Sequence, residues 1–559
     1  MDIRRTILWM ILSFSLLLLW NNWQTYNGKP SMFGPSLTSE TVDPAVQAAQ
    51  TQQNDVSVPN AAAAVSPTAA ASAVPGEQAP APVQAEQVEI STDVLRLTFD
   101  TQGAQLVRAV LPFYKVSSKS DEPFTLLDRR AGYTYVAQTG VVGAPQGQSY
   151  PTHLTPFHYI GQQQREGRTE VSFEATSDDV RVVKTFILAP ASYDIQVRHE
   201  IHNLSDSAIQ PSIYLQLERD GNEPGGSSFY STFTGPALYS AEDKYQKIDF
   251  SDLDKGRHNY TRDANNGWIG MVQHYFASAW VPEQGLQRHN EALRIGDNLY
   301  AIRTLVSAGN IAPGEAVAVD ANLWVGPQDQ DAMSDLAPGL ELVVDYGWLT
   351  IIAKPVFKLM TWLHTLLGNW GWTIVALTVL IKLAFYPLSA ASYRSMAKMK
   401  KFTPRMQALR EKFGDDKVKM NQAMMELYRT EKINPLGGCL PMLVQIPVFI
   451  ALYWVLLGSV EMRGAPWILW IQDLSARDPW FILPAIMMAT MFLQIKLNPT
   501  PPDPMQARIM MLMPLIFGGM MFFFPAGLVL YWVVNNILSI AQQRFVMHQI
   551  DKADAAAKR

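Results

Sequence analysis

Cysteine is all but absent: the 559 residues contain one, Cys439. That excludes a disulfide framework and a zinc site built from cysteines alone. Positive charge is not in excess either, with 45 Lys and Arg against 50 Asp and Glu and a net charge of −5. A strongly basic nucleic-acid binder is therefore excluded. No P-loop, HExxH, GxSxG or CxxC motif occurs, so the common nucleotide, zinc-protease, serine-hydrolase and dithiol chemistries have no foothold. Nothing calls for a cofactor or a metal, and the chain does not read as an enzyme. The averages, 48% hydrophobic and 17% charged, are those of an ordinary globular protein. They conceal a very uneven distribution.

Lys and Arg are missing altogether from residues 30–95, and residues 47–87 are mostly Ala, Pro, Gln, Val and Ser. Such a stretch cannot bury a core, so 26–87 reads as a flexible tether. Before it, Arg4 and Arg5 precede an apolar run from Ile7 to Trp20 broken only by Ser13 and Ser15. A cleaved signal peptide and a retained anchor compete for this segment. Cleavage needs small residues soon after the run, whereas Trp20, Trp23 and Tyr26 are bulky and no lipobox cysteine is present. Residues 1–25 thus read as an uncleaved transmembrane anchor, its N-terminus held in the cytoplasm by the arginines.

Residues 88–345 change to short alternating runs, among them Leu95-Arg-Leu97-Thr-Phe99 and Ile213-Tyr-Leu215-Gln-Leu217. Turn signals such as Asp220-Gly221-Asn222 separate them. Many short strands at this spacing predict an antiparallel sandwich. His199-Glu-Ile-His202 resembles a ligand cluster, but on a strand the two histidines face opposite ways and cannot easily share a metal.

Beyond Tyr346 the chain turns apolar. In 346–368, Thr350, Lys354, Lys358 and Thr361 recur along one helical face. The lysines preclude spanning, so this segment reads as an amphipathic helix in the interface plane, disturbed at Pro355. Five spanning segments are predicted at 369–389, 435–460, 479–497, 508–524 and 527–545, each supplying the ~17–25 apolar residues a crossing needs. The short turn Phe524-Pro-Ala-Gly527 makes the last two antiparallel neighbours. Loop 390–434 carries eleven basic and five acidic residues, while 461–478 has only Arg463 and Arg477 against three acids. The positive-inside rule places the first in the cytoplasm and the second outside, with 498–507 and the tail 546–559 inside. Six spans result, with both termini cytoplasmic and the β domain periplasmic.

The cytoplasmic loop has helical periodicity: Met399, Phe402, Met406, Leu409 and Phe413, interrupted by Pro404, then Met420, Met424 and Leu427. An antiparallel helical hairpin fits, with Lys398, Lys400, Lys401, Arg405 and Arg410 as candidate contacts. Basic charge alone leaves two readings open, a solvated loop near anionic lipid and a partner-binding hairpin. Lys382 lies about six residues, or roughly 9 Å, from the cytoplasmic end of its span. It has either snorkelled to the headgroups or placed a cation in a wet cavity. The five spans contain no Asp or Glu to neutralise it. Thr378, Gln445, Gln494, Asn535, Asn536 and Ser539 add polar groups at depth, which together indicate a hydrophilic interior. The lack of a titratable relay argues against a pump. Seventeen of the 24 methionines fall between Met396 and Met521, an adaptable apolar surface or plain core filler.

Asn434-Pro-Leu-Gly-Gly-Cys-Leu-Pro441 followed by Gln445-Ile-Pro447 resembles the third span of the YidC membrane-protein insertases. So do Asn369-Trp-Gly-Trp372, Tyr386-Pro-Leu388, Ser395-Met-Ala-Lys-Met399, Asp503-Pro-Met-Gln506 and Phe524-Pro-Ala-Gly-Leu-Val-Leu-Tyr531, in family order. The anchor, tether and β domain match the Gram-negative branch. The resemblance implies a multi-domain inner-membrane protein: an anchor plus a five-helix core, with a periplasmic β super-sandwich. It implies an insertase and folding chaperone whose groove opens to cytoplasm and lipid and carries a cation, usually arginine. Here that position is Lys382, a point charge without arginine's bidentate fork. Thr378 and Trp532 match positions implicated in substrate contact, Trp532 standing where a tyrosine is common. With Gln445, Asn535 and Asn536 these form the expected groove. The implied partners are nascent membrane proteins, a ribosome or targeting factor at the hairpin, the Sec translocon and the bilayer, with no specific nucleic-acid sequence. Two rival classes remain at this point: a channel or solute transporter with a periplasmic sensing domain, and an anchored periplasmic carbohydrate enzyme.

Overall fold

The computed structural model describes residues 86–117, 120–222, 232–257, 259–413, 416–431, 440–498 and 504–557. The expected anchor, the tether up to residue 85, Cys439 with its preceding motif, and Asp503 lie outside the described residues, as does the side chain of Arg410. The described residues divide into two compact units between Val344 and Asp345.

The first unit consists of two nine-stranded sheets whose pairings are antiparallel. Strand Asp194–Asn203 is half-buried residue by residue, the period-2 pattern of a strand with one face on a core. Strand Ser212–Asp220 is buried on both faces. Phe99 of one sheet meets Phe173 and Phe186 of the other at ring distances of 5.8 and 4.5 Å. Tyr135 crosses between the sheets to Ser278, with its hydroxyl 2.6 Å from the serine oxygen. In the first sheet Gln138, Gln216, Arg303 and Glu291 stand directly opposite one another on four neighbouring strands. They are hydrogen-bonded in a row, ending in Arg303 Nε on Glu291 Oε2 at 2.6 Å. Two small helices, α1 (Phe250–Asp254) and α2 (Gln330–Leu336), complete this unit.

His199 and His202 face opposite ways. His199 is fully buried, with Nε2 2.9 Å from Thr139 Oγ1, whereas His202 is half-exposed beside Arg181 and Glu200. Among the described residues no group of three or more His, Cys, Asp and Glu is placed to hold a metal. The buried Lys184 donates to the carbonyls of Gly103 and Thr139, each at 2.7 Å, and lies over the Phe157 ring. Burial pushes its ammonium down to about 7, and burial together with the Lys184 charge pushes His199 down to about 3.

The second unit is helical: α3 (Thr350–Leu367), α4 (Trp370–Ala384), α5 (Tyr386–Phe413), α6 (Lys417–Thr430), α7 (Leu440–Gly458), α8 (Ile482–Leu497), α9 (Pro504–Met520) and α10 (Ala526–Ala557). In α3, Ala353, Phe357, Met360 and Leu363 form the buried stripe, and the helix runs unbroken through Pro355. The expected span 369–389 is instead two helices, α4 ending at Ala384 and α5 starting at Tyr386, bent by 65°. Proline explains the break: Pro387 disfavours helical geometry at Tyr386 but is tolerated in the first turn of a new helix. The hairpin's first arm therefore begins before residue 390, and it continues through Pro404. At the other end α10 runs 32 residues and takes in most of the expected tail. No glycine or proline occurs between Leu528 and Ala557 to stop it. Among the described residues no single helix is both long and apolar enough to cross a membrane. The bent pair α4–α5 passes that test jointly, and Val444–Gly458, Ile482–Leu497 and Arg508–Phe523 are shorter apolar helices.

Candidate functional site

The cation and the polar residues read from the sequence converge on one face of α10. Asn535, Ser539 and Gln542 follow at i, i+4 and i+7, a single stripe along the helix. Lys382, 6% exposed, donates from Nζ to Ser539 Oγ at 2.7 Å. Ser539 in turn donates to the Asn535 carbonyl at 2.7 Å, so lone pairs are what it offers the lysine. Asn535 Oδ1 accepts from Gln445 Nε2 of α7 at 2.9 Å. Gln542 Nε2 reaches the Lys382 carbonyl at 3.2 Å, and the Tyr393 hydroxyl reaches the Ser539 carbonyl at 3.3 Å. A continuous chain of hydrogen bonds thus joins α4, α10 and α7, with α5 touching it through Tyr393. The cation belongs to this chain and is not turned outward.

Asn536, one residue on and so about 100° around the helix, leaves the chain and donates to Thr490 Oγ1 of α8 at 3.3 Å. Thr378 is buried one turn before Lys382, but its hydroxyl bonds back to the Ile374 carbonyl at 2.7 Å and, among the described residues, to no other helix. Trp532 packs against Phe449 and Phe517 at 4.4 and 5.2 Å. Its buried Nε1 has no acceptor among the described residues. Lys382, Gln445 and Asn535 therefore form one cluster, with Asn536, Thr378 and Trp532 beside it. Ser539 reads from the sequence as a polar group at depth but not as a groove residue, and Tyr393, Gln542 and Thr490 are in neither set. The helical spacing of Asn535, Ser539 and Gln542 was the available signal.

On the hairpin, Lys398, Lys400, Lys401 and Arg405 are exposed, and Arg405 pairs with Glu431 at 2.8 Å across the two arms. Asp416 caps α6 by accepting from the Val418 and Lys419 amides.

The end of the helical unit away from Lys382 is tied by a loop. Asn369 caps α4 through the Trp372 amide and donates to the Pro466 and Trp467 carbonyls. Gly371 lets the Trp467 ring approach so closely that a Cβ there would lie 2.1 Å from its Cδ1. Asp478, 2% exposed, accepts from Trp470 Nε1 and from the amides of Trp480 and Leu483. The amides of Ala526 and Gly527 donate to the Ala476 and Leu474 carbonyls at 2.7 and 2.9 Å.

Comparison with known proteins decides what this arrangement belongs to. Residues 87–359 match the family model of the YidC periplasmic domain, and residues 362–553 match that of the 60Kd inner membrane protein. A membrane protein insertase YidC of Bordetella pertussis is 66% identical over 570 residues, all of both chains being covered. This chain belongs to the YidC family. A YidC of Cupriavidus necator is 51% identical, covering 100% of this chain and 99% of its own. Among solved structures, an active YidC insertase with its first transmembrane domain resolved matches 82% of this chain and 93% of its own, at 17% identity and a TM-score of 0.38. The YidC family is one of inner-membrane insertases with a periplasmic domain, not of enzymes, and the two-sheet unit is that domain. The Asn369-Trp-Gly-Trp372 and Phe524-Pro-Ala-Gly527 motifs that resemble YidC are the joints that tie one end of the helical unit.

Proposed function

We propose that this chain inserts nascent membrane proteins into the inner membrane and assists their folding, alone or with the Sec translocon. The observation that carries this reading is the buried Lys382, held by Ser539 in a polar chain reaching Gln445, within apolar segments 369–389, 435–460 and 527–545 that contain no acidic residue. In this reading the anchor and five further segments cross the bilayer, both termini face the cytoplasm and the groove opens to cytoplasm and lipid. The hydrophobic segment of a substrate slides along the apolar exterior of the core, near α7 and α10. Its short polar flank enters the cluster, where Lys382, Gln445 and Asn535 replace part of the water it loses. A charged flank crossing hydrocarbon unaided costs several kcal/mol, and the cation selects for acidic or strongly polar flanks. The unpartnered Trp532 Nε1 supplies a donor for a passing backbone carbonyl. Thr378, satisfied within its own helix, shapes the wall. Energy comes from burial of the substrate's own apolar segment in lipid, about 0.8 kcal/mol per CH₂, so no nucleotide is required.

The exposed Lys398, Lys400, Lys401 and Arg405 of the hairpin, with Arg410, receive the ribosome or a targeting factor. The test is cell-free synthesis of a small single-span protein in the presence of vesicles containing the purified chain. Protease-protected substrate is the expected result with wild type and with Lys382→Arg, and a strong loss with Lys382→Ala. Ion conductance or solute uptake by the same vesicles without insertion would replace this reading with a channel or transporter.

A further inference from the structure

Away from the Lys382 cluster, α8 and α9 frame an open groove of about 410 Å³ lined by Phe492, Arg508, Met511, Leu512 and Leu515. The four α9 residues fall at i, i+3, i+4 and i+7, so they form one stripe with its cation at the end. Phe492, Met511, Leu512 and Leu515 are 40%, 58%, 51% and 57% exposed. Lys496 stands one turn beyond Phe492 on the same face of α8, in its last turn, and is exposed. The two helices pack together and are joined by only 498–503. Lys496, near the end of α8, and Arg508, near the start of α9, therefore lie at the same end of the pair. Neither helix contains Asp or Glu, and among the described residues no ion pair involves Lys496 or Arg508.

Two cations at one end of an apolar furrow match a molecule with an anionic head and a hydrocarbon tail. A soluble anion would leave the furrow unused. A zwitterionic lipid brings its own ammonium against the cations. An apolar polypeptide helix has no use for the charges. We propose that this groove binds an anionic phospholipid of the cytoplasmic leaflet, its phosphate between Arg508 and Lys496 and an acyl chain along Phe492, Met511, Leu512 and Leu515. Basic pockets between helices on the cytoplasmic side are suited to such headgroups. The site rests on the reading of α8 and α9 as membrane helices, and none of its lining residues belongs to the Lys382 cluster, so lipid binding and insertion are separately measurable.

The experiment is native mass spectrometry of the delipidated full chain in detergent, offered phosphatidylglycerol and phosphatidylcholine at equal concentration. Wild type is expected to retain phosphatidylglycerol at least about fivefold over phosphatidylcholine. The double variant Lys496→Gln/Arg508→Gln should lose that preference, and both side chains are exposed, so folding is spared. Leu515→Trp, which fills the groove and keeps the cations, should lower total lipid retention. Lys398→Gln/Lys400→Gln removes equal charge from the hairpin and should keep the preference. Retention of the preference by Lys496→Gln/Arg508→Gln, or its equal loss in the hairpin variant, overturns the proposal. So does a photo-crosslinker at Leu512 that captures nascent polypeptide and no lipid during insertion. If wild type shows the lipid preference but inserts no substrate into vesicles, the insertase reading fails and the lipid site stands. Normal insertion by a wild type that lacks the preference leaves the insertase reading standing and overturns the lipid site.

Discussion

Among the described residues the Lys382 ammonium makes one hydrogen bond, from Nζ to Ser539 Oγ. Lys382 is 6% exposed, so little water is at hand to replace that bond. Lys382→Ala removes the charge itself. A charged flank pays ~2.5–3.5 kcal/mol at the centre of a bilayer, and a cation offsetting about half of that is worth ~10–20-fold in rate. Ser539→Ala acts differently. The serine's proton is spent on the Asn535 carbonyl, so the serine only accepts from the lysine and holds it in place. Losing that hold costs ~1 kcal/mol, or about fivefold. The serine works through the lysine, so the double variant should insert no more slowly than Lys382→Ala alone, a coupling of ~1 kcal/mol in a double-mutant cycle. The assay is the initial rate of cell-free insertion of a single-span substrate with a short acidic flank, at matched protein levels in vesicles. Losses that multiply in the double variant would refute the shared route, and a normal rate with Lys382→Ala would refute the role of the cation altogether.

Three further outcomes are expected. The Lys184 ammonium titrates near 7 when folded and near 10.5 when unfolded, so across that window the unfolded chain binds more protons and stability rises with pH. The slope is about 1.4 kcal/mol per pH unit for one proton, and the cost of burying the charge is fully present below about 7. Lys184→Met should flatten that slope between about pH 7.5 and 9, read by urea unfolding of the full chain at the tryptophans of the β unit; an unchanged slope refutes the assignment. His199, pushed to about 3 from 6.5, gives the same sign at lower pH. Gly371→Val must displace Trp467 and should cost ~1–3 kcal/mol, seen as a lower melting temperature; a melting temperature equal to wild type would mean that the loop yields freely. Asp478→Ala strips three donors of their acceptor, including the first-turn amide of Leu483, and should cost ~2 kcal/mol or more. Faster hydrogen exchange over 478–484 checks it, and unchanged exchange there would refute it.

The sandwich was legible because its strands alternate visibly, and the opposed faces of His199 and His202 follow from the same period of two. The hydrogen-bonded row from Gln138 to Glu291 was not legible, since it depends on the register of strands drawn from three separate stretches of the sequence. In the helical unit the apolar runs located α7, α8 and α9. The break at Phe385 was hidden inside a run that looks continuous, and only Pro387 hinted at it. The α5 helix passes straight through Pro404, where a breaker was expected. Lys382 stood out because a charge in an apolar run is expensive. Ser539 was visible only as one polar group at depth among several, because a serine in a helix commonly bonds to its own backbone, as Ser539 also does. What singles it out is the lysine across from it, a tertiary fact.

The ties at Asn369, Asp478 and 524–527 all lie at one end of the helical unit. In rods clamped at one end, any angular play grows toward the other, so the bonds at that other end decide how far it travels. For α8, 16 residues long and so about 24 Å, an angular play of about 5° shifts the far end by about 2 Å. Lys382 lies toward the far end of α4, away from the clamp, and there its own hydrogen bonds with Ser539 and Gln542 and the bend into α5 hold the helix instead.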